Sequence, residues 1–208
     1  MEYGIELEFF VKKGQNIVPA YLYTKNLDGN ILLGELRTGI HKNITDAVFE
    51  LKKLIYLEEL ALKNKKCKLI LKSEHLFTNK EIIDARNDSS YGNKNFTEEF
   101  SIYSEDYIPK VYAVENVKAS LQINFSENIY KTIKISENSI NNYKEFISSS
   151  LFNFPNIIRK LDNNFKEEIN NTKRTSGIYS IKNGEKGKRL EYRSLPNTIN
   201  LSKLLISF

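Results

Sequence analysis

The chain has no tryptophan, a single cysteine at Cys67 and two histidines among its 208 residues. One cysteine excludes an internal disulfide and points to a reducing compartment, with Cys67 packing in an apolar strand. His41 and His75 have no partner at ligand spacing, which leaves them as surface or loop residues rather than centres of metal or proton chemistry. No apolar run approaches the ~18 residues a membrane span requires. Met1 leads straight into an acidic stretch, without the basic and apolar regions of a signal peptide. The expectation is a soluble, cytoplasmic protein. Two nucleotide-binding signatures are missing as well. Gly184-Glu-Lys-Gly187-Lys188 misses the spacing of G-x-x-x-x-G-K-[ST], and there is no G-x-G-x-x-G. Lysines are scattered rather than run into blocks. A net charge of +5 and a pI near 9.0 therefore suit an anionic ligand such as a nucleotide, while nucleic acid is not indicated.

What is present has globular proportions, 40% hydrophobic and 27% charged, and no repeat or linker divides it. The reading is one domain over residues 1–208. Gly4-Ile5-Glu6-Leu7-Glu8-Phe9-Phe10 alternates as a strand, with Ile5, Leu7 and Phe9 on one face and Glu6 and Glu8 on the other. Two carboxylates so placed lie about 7 Å apart, and burying both requires a neutralising cation. Ile17–Thr24 reads as a second strand with Pro19 at an edge or bulge. Asp28-Gly29 marks a hairpin turn into a third, Ile31–Arg37. Thr45 is the expected cap of a helix over 46–63, its inner stripe including Ala47, Val48, Leu51, Leu57 and Leu60, with Glu58 and Glu59 outward. Cys67–Lys72 reads as a strand, and 73–112 as an irregular segment of the kind that often forms a functional loop. Val117–Phe125 alternates as one strand, with Lys118, Ser120, Gln122 and Asn124 on its polar face. Helices are expected over 140–149 and 156–171. A closing hairpin spans 175–195, and a short helix capped by Thr198 follows. The fold class that results is α+β, a mostly antiparallel sheet with helices packed on its outer face.

Four strands carry polar pairs two residues apart: Glu6/Glu8, Glu35/Arg37, Gln122/Asn124 and Glu191/Arg193. One such pair is what any half-exposed antiparallel strand shows. Four of them, rich in carboxylate and arginine, point to a shared polar cavity. Carboxylates bind hard cations through oxygen, and arginine clamps phosphate or carboxylate bidentately, so the set suits metal-assisted phosphoryl chemistry. Arg174, before Thr175-Ser176-Gly177 at a helix end, is either a phosphate contact or a favourable charge on the helix dipole.

The strand Gly4–Phe10, then Val18-Pro19-Ala20, Asp28-Gly29, Glu35-Leu36-Arg37 and Arg189-Leu190-Glu191-Tyr192-Arg193-Ser194-Leu195-Pro196, resembles the phage-type carboxylate-amine (COOH-NH2) ligases. These form the amidoligase branch of the glutamine synthetase-like superfamily. The resemblance implies a sheet whose concave face binds ATP and two Mg²⁺ ions. It implies phosphoryl transfer to a carboxylate and attack of an amine on the acyl phosphate. Glu6, Glu8, Glu35 and Glu191 would be metal ligands. Arg37 and Arg193 would hold substrate carboxylate or phosphate, and Arg174 the transferred phosphoryl group. Gln122 and Asn124 stand where the family presents histidines, and their amide oxygens can still ligate Mg²⁺ or contact the nucleotide. The partners implied are small-molecule or peptide carboxylates and amines, with the oligomeric state open. Two other readings fit the same residues: a non-catalytic relative serving as a binding or assembly module, and another metal-dependent phosphoryl-transfer enzyme such as a nuclease.

Overall fold

The computed structural model describes residues 1–92, 99–104, 108, 116–126, 154–184 and 187–208. Its axis is β1 (Glu2–Lys13), which is paired along both edges. β2 (Asn16–Val18) folds back on Val11–Lys13 as a hairpin. β3 (Gly34–Arg37) lies along Glu6–Phe9, and β4 (Cys67–Ile70) continues along Phe10–Lys13. β8 (Ser120–Ser126) pairs with Glu2–Leu7. The sheet then runs through β10 (Gly187–Pro196) and β9 (Ile178–Gly184) to β6 (Glu99–Ser101). β5 (Glu74–Leu76) and β7 (Asn116–Lys118) form a separate two-stranded sheet. Every pairing among these strands is antiparallel.

The fold class is α+β with a mostly antiparallel sheet, as the alternation and turn signals predict. Among the described residues five helices accompany it: α1 (Ile44–Asn64), α2 (Asn79–Arg86), α3 (Phe154–Asn164), α4 (Lys166–Asn171) and α5 (Leu201–Leu205). Ile5, Leu7 and Phe9 of β1, Leu121 and Ile123 of β8 and Leu190 and Tyr192 of β10 build the main core. Ala47, Val48 and Leu51 of α1 and Ile158 and Leu161 of α3 complete it. Phe10 points the other way, into a smaller core with Leu32, Phe77, Ile82 and Val117.

Several boundaries differ from the sequence reading, each for a local reason. The second strand stops before Pro19, whose ring removes a ladder donor, and Ala20–Leu22 form a 3-10 turn. The Asp28-Gly29 turn exists but closes back on Gly34 through a bridge from Leu27 rather than joining β2 to β3. Asn43 caps α1, its Oδ1 accepting from the Asp46 amide at 2.8 Å, so the helix starts before Thr45. Val117–Phe125 is two strands, broken at Ala119, because β7 leaves to pair with β5 while β8 enters the main sheet. The expected helix over 156–171 is divided at the buried Phe165. Asn200, not Thr198, caps α5. Segment 73–112 holds β5, α2 and β6, and α2 carries a Thr78–Glu81 capping box. Residues 140–149 lie outside the described residues.

Candidate functional site

One face of the sheet is packed by helices, and the opposite face carries the polar residues of five adjacent strands. Strand register sets them in rows. Arg37 of β3 stands beside Glu6 of β1, and Glu6 beside Gln122 of β8. Glu35 stands beside Glu8. Asn124 stands beside Glu191 of β10, and Glu191 beside Ser180 of β9. β10 is irregular between Tyr192 and Leu195, so Arg193 sits where regular pairing with β8 is interrupted. The face is not solvated surface. Glu6 is 5% exposed, Glu8 7% and Glu191 0%.

Burying four carboxylates needs donors and counter-charges, and the chain supplies many of them. Glu8 accepts the Ser120 amide at 2.7 Å, the Ser120 hydroxyl at 2.9 Å and Gln122 Nε2 at 3.1 Å. Glu6 Oε1 accepts Asn124 Nδ2 and Arg189 Nη2, each at 3.1 Å. Arg37 clamps Glu35 bidentately, Nε to Oε1 at 2.6 Å and Nη2 to Oε2 at 2.9 Å, while its own side chain is 62% exposed. Glu191 pairs with Lys182 Nζ at 2.7 Å and with Arg193 Nη1. Arg193 Nε also reaches Glu99 at 3.2 Å.

The acids are nonetheless driven apart in proton affinity. Burial, aided by the charge of Asp28, pushes the Glu8 carboxyl up to about 7 against the pull of Arg193, Arg174 and Ser120. Burial also pushes Glu35 up to about 8, with the neighbouring Glu6 adding to it and Arg37 opposing. Glu6 is desolvated too, but a hydrogen bond from Glu35 and the charges of Lys182, Arg189 and Arg37 hold it below the ordinary carboxylate range. Two interacting acids so placed favour sharing one proton over ionising together.

The structure thus brings together Glu6, Glu8, Glu35, Glu191, Gln122, Asn124, Arg37 and Arg193. Arg174 lies at the margin: its Nη2 donates to the Ala119 carbonyl and its Nη1 to that of Arg193 at 3.4 Å, and its charge acts on Glu8. Sequence reasoning missed Arg189, Lys182, Ser120 and Ser180. The signal was available for Arg189, which precedes Glu191 by two on the same face, and for Ser120, already on the polar face of its strand. Lys182 and Ser180 depend on the register of β9 against β10, which no local pattern reveals. His41 bonds Glu50 Oε2 through Nε2 at 2.5 Å, and His75 packs its ring against Phe77 and Phe10.

Gln122 Oε1, Asn124 Oδ1 and Glu191 Oε2 are buried and accept no hydrogen bond. Oxygen acceptors without donors suit a hard cation such as Mg²⁺. Among the described residues no three His, Cys, Asp or Glu side chains gather round one point as a metal-holding group. An ion on this face would therefore draw on amide oxygens together with carboxylates. Among the described residues no helix is long and apolar enough to cross a membrane. Comparison of the chain with protein-family models, curated proteins and solved structures finds no match.

Proposed function

We propose that this chain is an ATP- and Mg²⁺-dependent carboxylate-amine ligase with a glutamine synthetase-like catalytic face. One observation carries the reading. Carboxylates from both ends of the chain, Glu6, Glu8, Glu35 and Glu191, are buried together on one side of an antiparallel sheet, with Arg193 half-buried beside them and Arg37 exposed at the rim.

Carboxylates among Glu6, Glu8, Glu35 and Glu191, no three of which gather round one point, would hold the metal together with the amide oxygens of Gln122 and Asn124. Bound there, Mg²⁺ would act as a Lewis acid and neutralise phosphate charge. Arg37, exposed at the rim, receives the substrate carboxylate. Arg193 and Arg174, whose charges both act on Glu8, hold the phosphoryl group at that end. An oxygen of the substrate carboxylate attacks the γ-phosphorus, and the bond to ADP breaks with its electron pair on ADP. A neutral amine then attacks the acyl carbon, phosphate departs with the bonding pair, and the amine's surplus proton passes to a carboxylate. Catalysis is by positioning and charge neutralisation, with no protein nucleophile.

Phosphate release from ATP and Mg²⁺ in a screen of amino acids and short peptides tests the reading. The expected result is release that requires one particular acid and falls about 100-fold or more in Glu6→Gln and Glu191→Gln. A second reading, a non-catalytic binding or assembly module, draws on the ion pairs. The chain's own Arg37, Arg189, Lys182 and Arg193 already engage Glu35, Glu6 and Glu191. Silence across the whole screen, with no nucleotide-dependent rise in Tm, would carry that reading instead.

A further inference from the structure

Glu58 is on the wrong side of its helix. The apolar stripe of α1 predicts Leu57 and Leu60 inward and Glu58 outward. In the structure Leu57 is 48% exposed and Leu60 43%, while Glu58 is 6% exposed. Burying a carboxylate is costly unless it is paired or bonded. Glu58 Oε2 accepts Asn26 Nδ2 at 2.6 Å, and Oε1 accepts nothing among the described residues. No described cation lies within ion-pair distance of it. The buried glutamates of the polar face pair with bases or, as Glu8 does, accept several hydrogen bonds; Glu58 lies outside that face and has no base partner among the described residues.

Glu58 lines a groove of about 460 Å³, within the range of small-molecule sites. Leu27, Leu36, Leu54 and Leu57 supply apolar walls, and Lys25 and Asn26 belong to the lining as well. Glu35 and Arg37 line it too, although they project to the opposite side of β3 from Leu36. The groove therefore passes round the outer edge of β3, from the helix layer to the rim of the polar face. A buried carboxylate with no ion pair among the described residues, in the lining of a groove with leucine walls, is complementary to a cation with an aliphatic stem.

We infer that this groove binds a primary ammonium carried on a short aliphatic chain, the cation against Glu58 and the chain along the leucine walls. Within the ligase reading, on which it rests for its purpose, this would be the amine substrate approaching the face past Glu35. The binding itself is separable from that reading, because it needs neither nucleotide nor metal.

Ligand-observed NMR with n-butylamine and with Nα-acetyl-lysine amide, without ATP or Mg²⁺, tests it, N-butylacetamide serving as the uncharged control. The expected result is saturable binding of at least one cationic probe, at least tenfold tighter than the control. Glu58→Gln, which keeps an acceptor for Asn26, should lose tenfold or more with an unchanged Tm. Leu57→Arg, at an exposed position, should weaken binding through its added cation even if Glu58→Gln folds poorly. Tighter binding of the lysine amide would assign the amine to a peptide, and of butylamine to a free metabolite. Failure of both cationic probes to saturate, or equal binding by wild type and the two folded variants, would overturn the inference. A failed phosphate-release screen alongside intact ammonium binding would sink the ligase reading and leave this site standing.

Discussion

Glu8 and Glu35 keep protons that free glutamates give up near pH 4.5, since burial pushes them to about 7 and about 8. Between those limits the native state binds more protons than the unfolded chain, so stability falls as pH rises. Their contribution is full below about pH 4.5 and is lost as pH passes 7 and then 8. Glu6, held low, acts oppositely and only under more acidic conditions. Melting should therefore show a Tm that declines from pH 5 to pH 9, and Glu35→Gln should flatten the decline. An unchanged slope in that variant would contradict the protonated Glu35. Asp162, on the helix side, accepts Tyr192 Oη at 2.5 Å, Tyr103 Oη at 2.8 Å and the Gly177 amide at 3.1 Å. It ties α3 to β10 between Glu191 and Arg193 and to the turn that carries Arg174. Asp162→Ala removes the acceptor of the buried Tyr192 hydroxyl and of the Gly177 amide, and urea denaturation should register a loss of about 2–4 kcal/mol. A loss below about 0.5 kcal/mol would refute the role.

Between elements, the tightest fit is Gly34 of β3 against Phe9 of β1. A Cβ on Gly34 would come within 2.1 Å of the Phe9 ring, which is itself fully buried. Gly34→Ala should cost about 1–3 kcal/mol by overpacking, and Phe9→Leu in the same chain should recover part of it. Additive losses in denaturant would show that the two do not share that space. The strand β1 was legible because its period-2 pattern and its burial agree. The helix α1 was legible as a helix but not in its inner face. Its apolar residues span more of the circumference than the sheet covers, so Leu57 and Leu60 fall outside while Glu58 turns in. The break at Ala119 was hidden because alternation continues across it, and alternation does not say which sheet a strand joins. The helix α2 was overlooked although Thr78-Asn-Lys-Glu81 is a capping-box spacing.

At the scale of the whole molecule, the polar face depends on pairings between distant parts of the chain. Ser120 and Glu8 are 112 positions apart, and Arg189 and Glu6 are 183 apart. Such pairings close large loops before they return any contact, so refolding should fall in the slow, millisecond-to-second range. Stopped-flow fluorescence of the tyrosines checks this; completion within microseconds would contradict it. That the acids converge was legible from four strands with the same polar spacing. How the chain neutralises them was not, because Arg189, Lys182 and Ser180 reach them only through sheet register. The central place of β1 has a last consequence, on the ribosome. Its Phe9-Phe10-Val11 run is made before β8, its partner at the centre of the sheet, which ends at Ser126. At ordinary elongation rates that delay is on the order of ten seconds. Throughout it the nascent segment offers a ready hold for a chaperone.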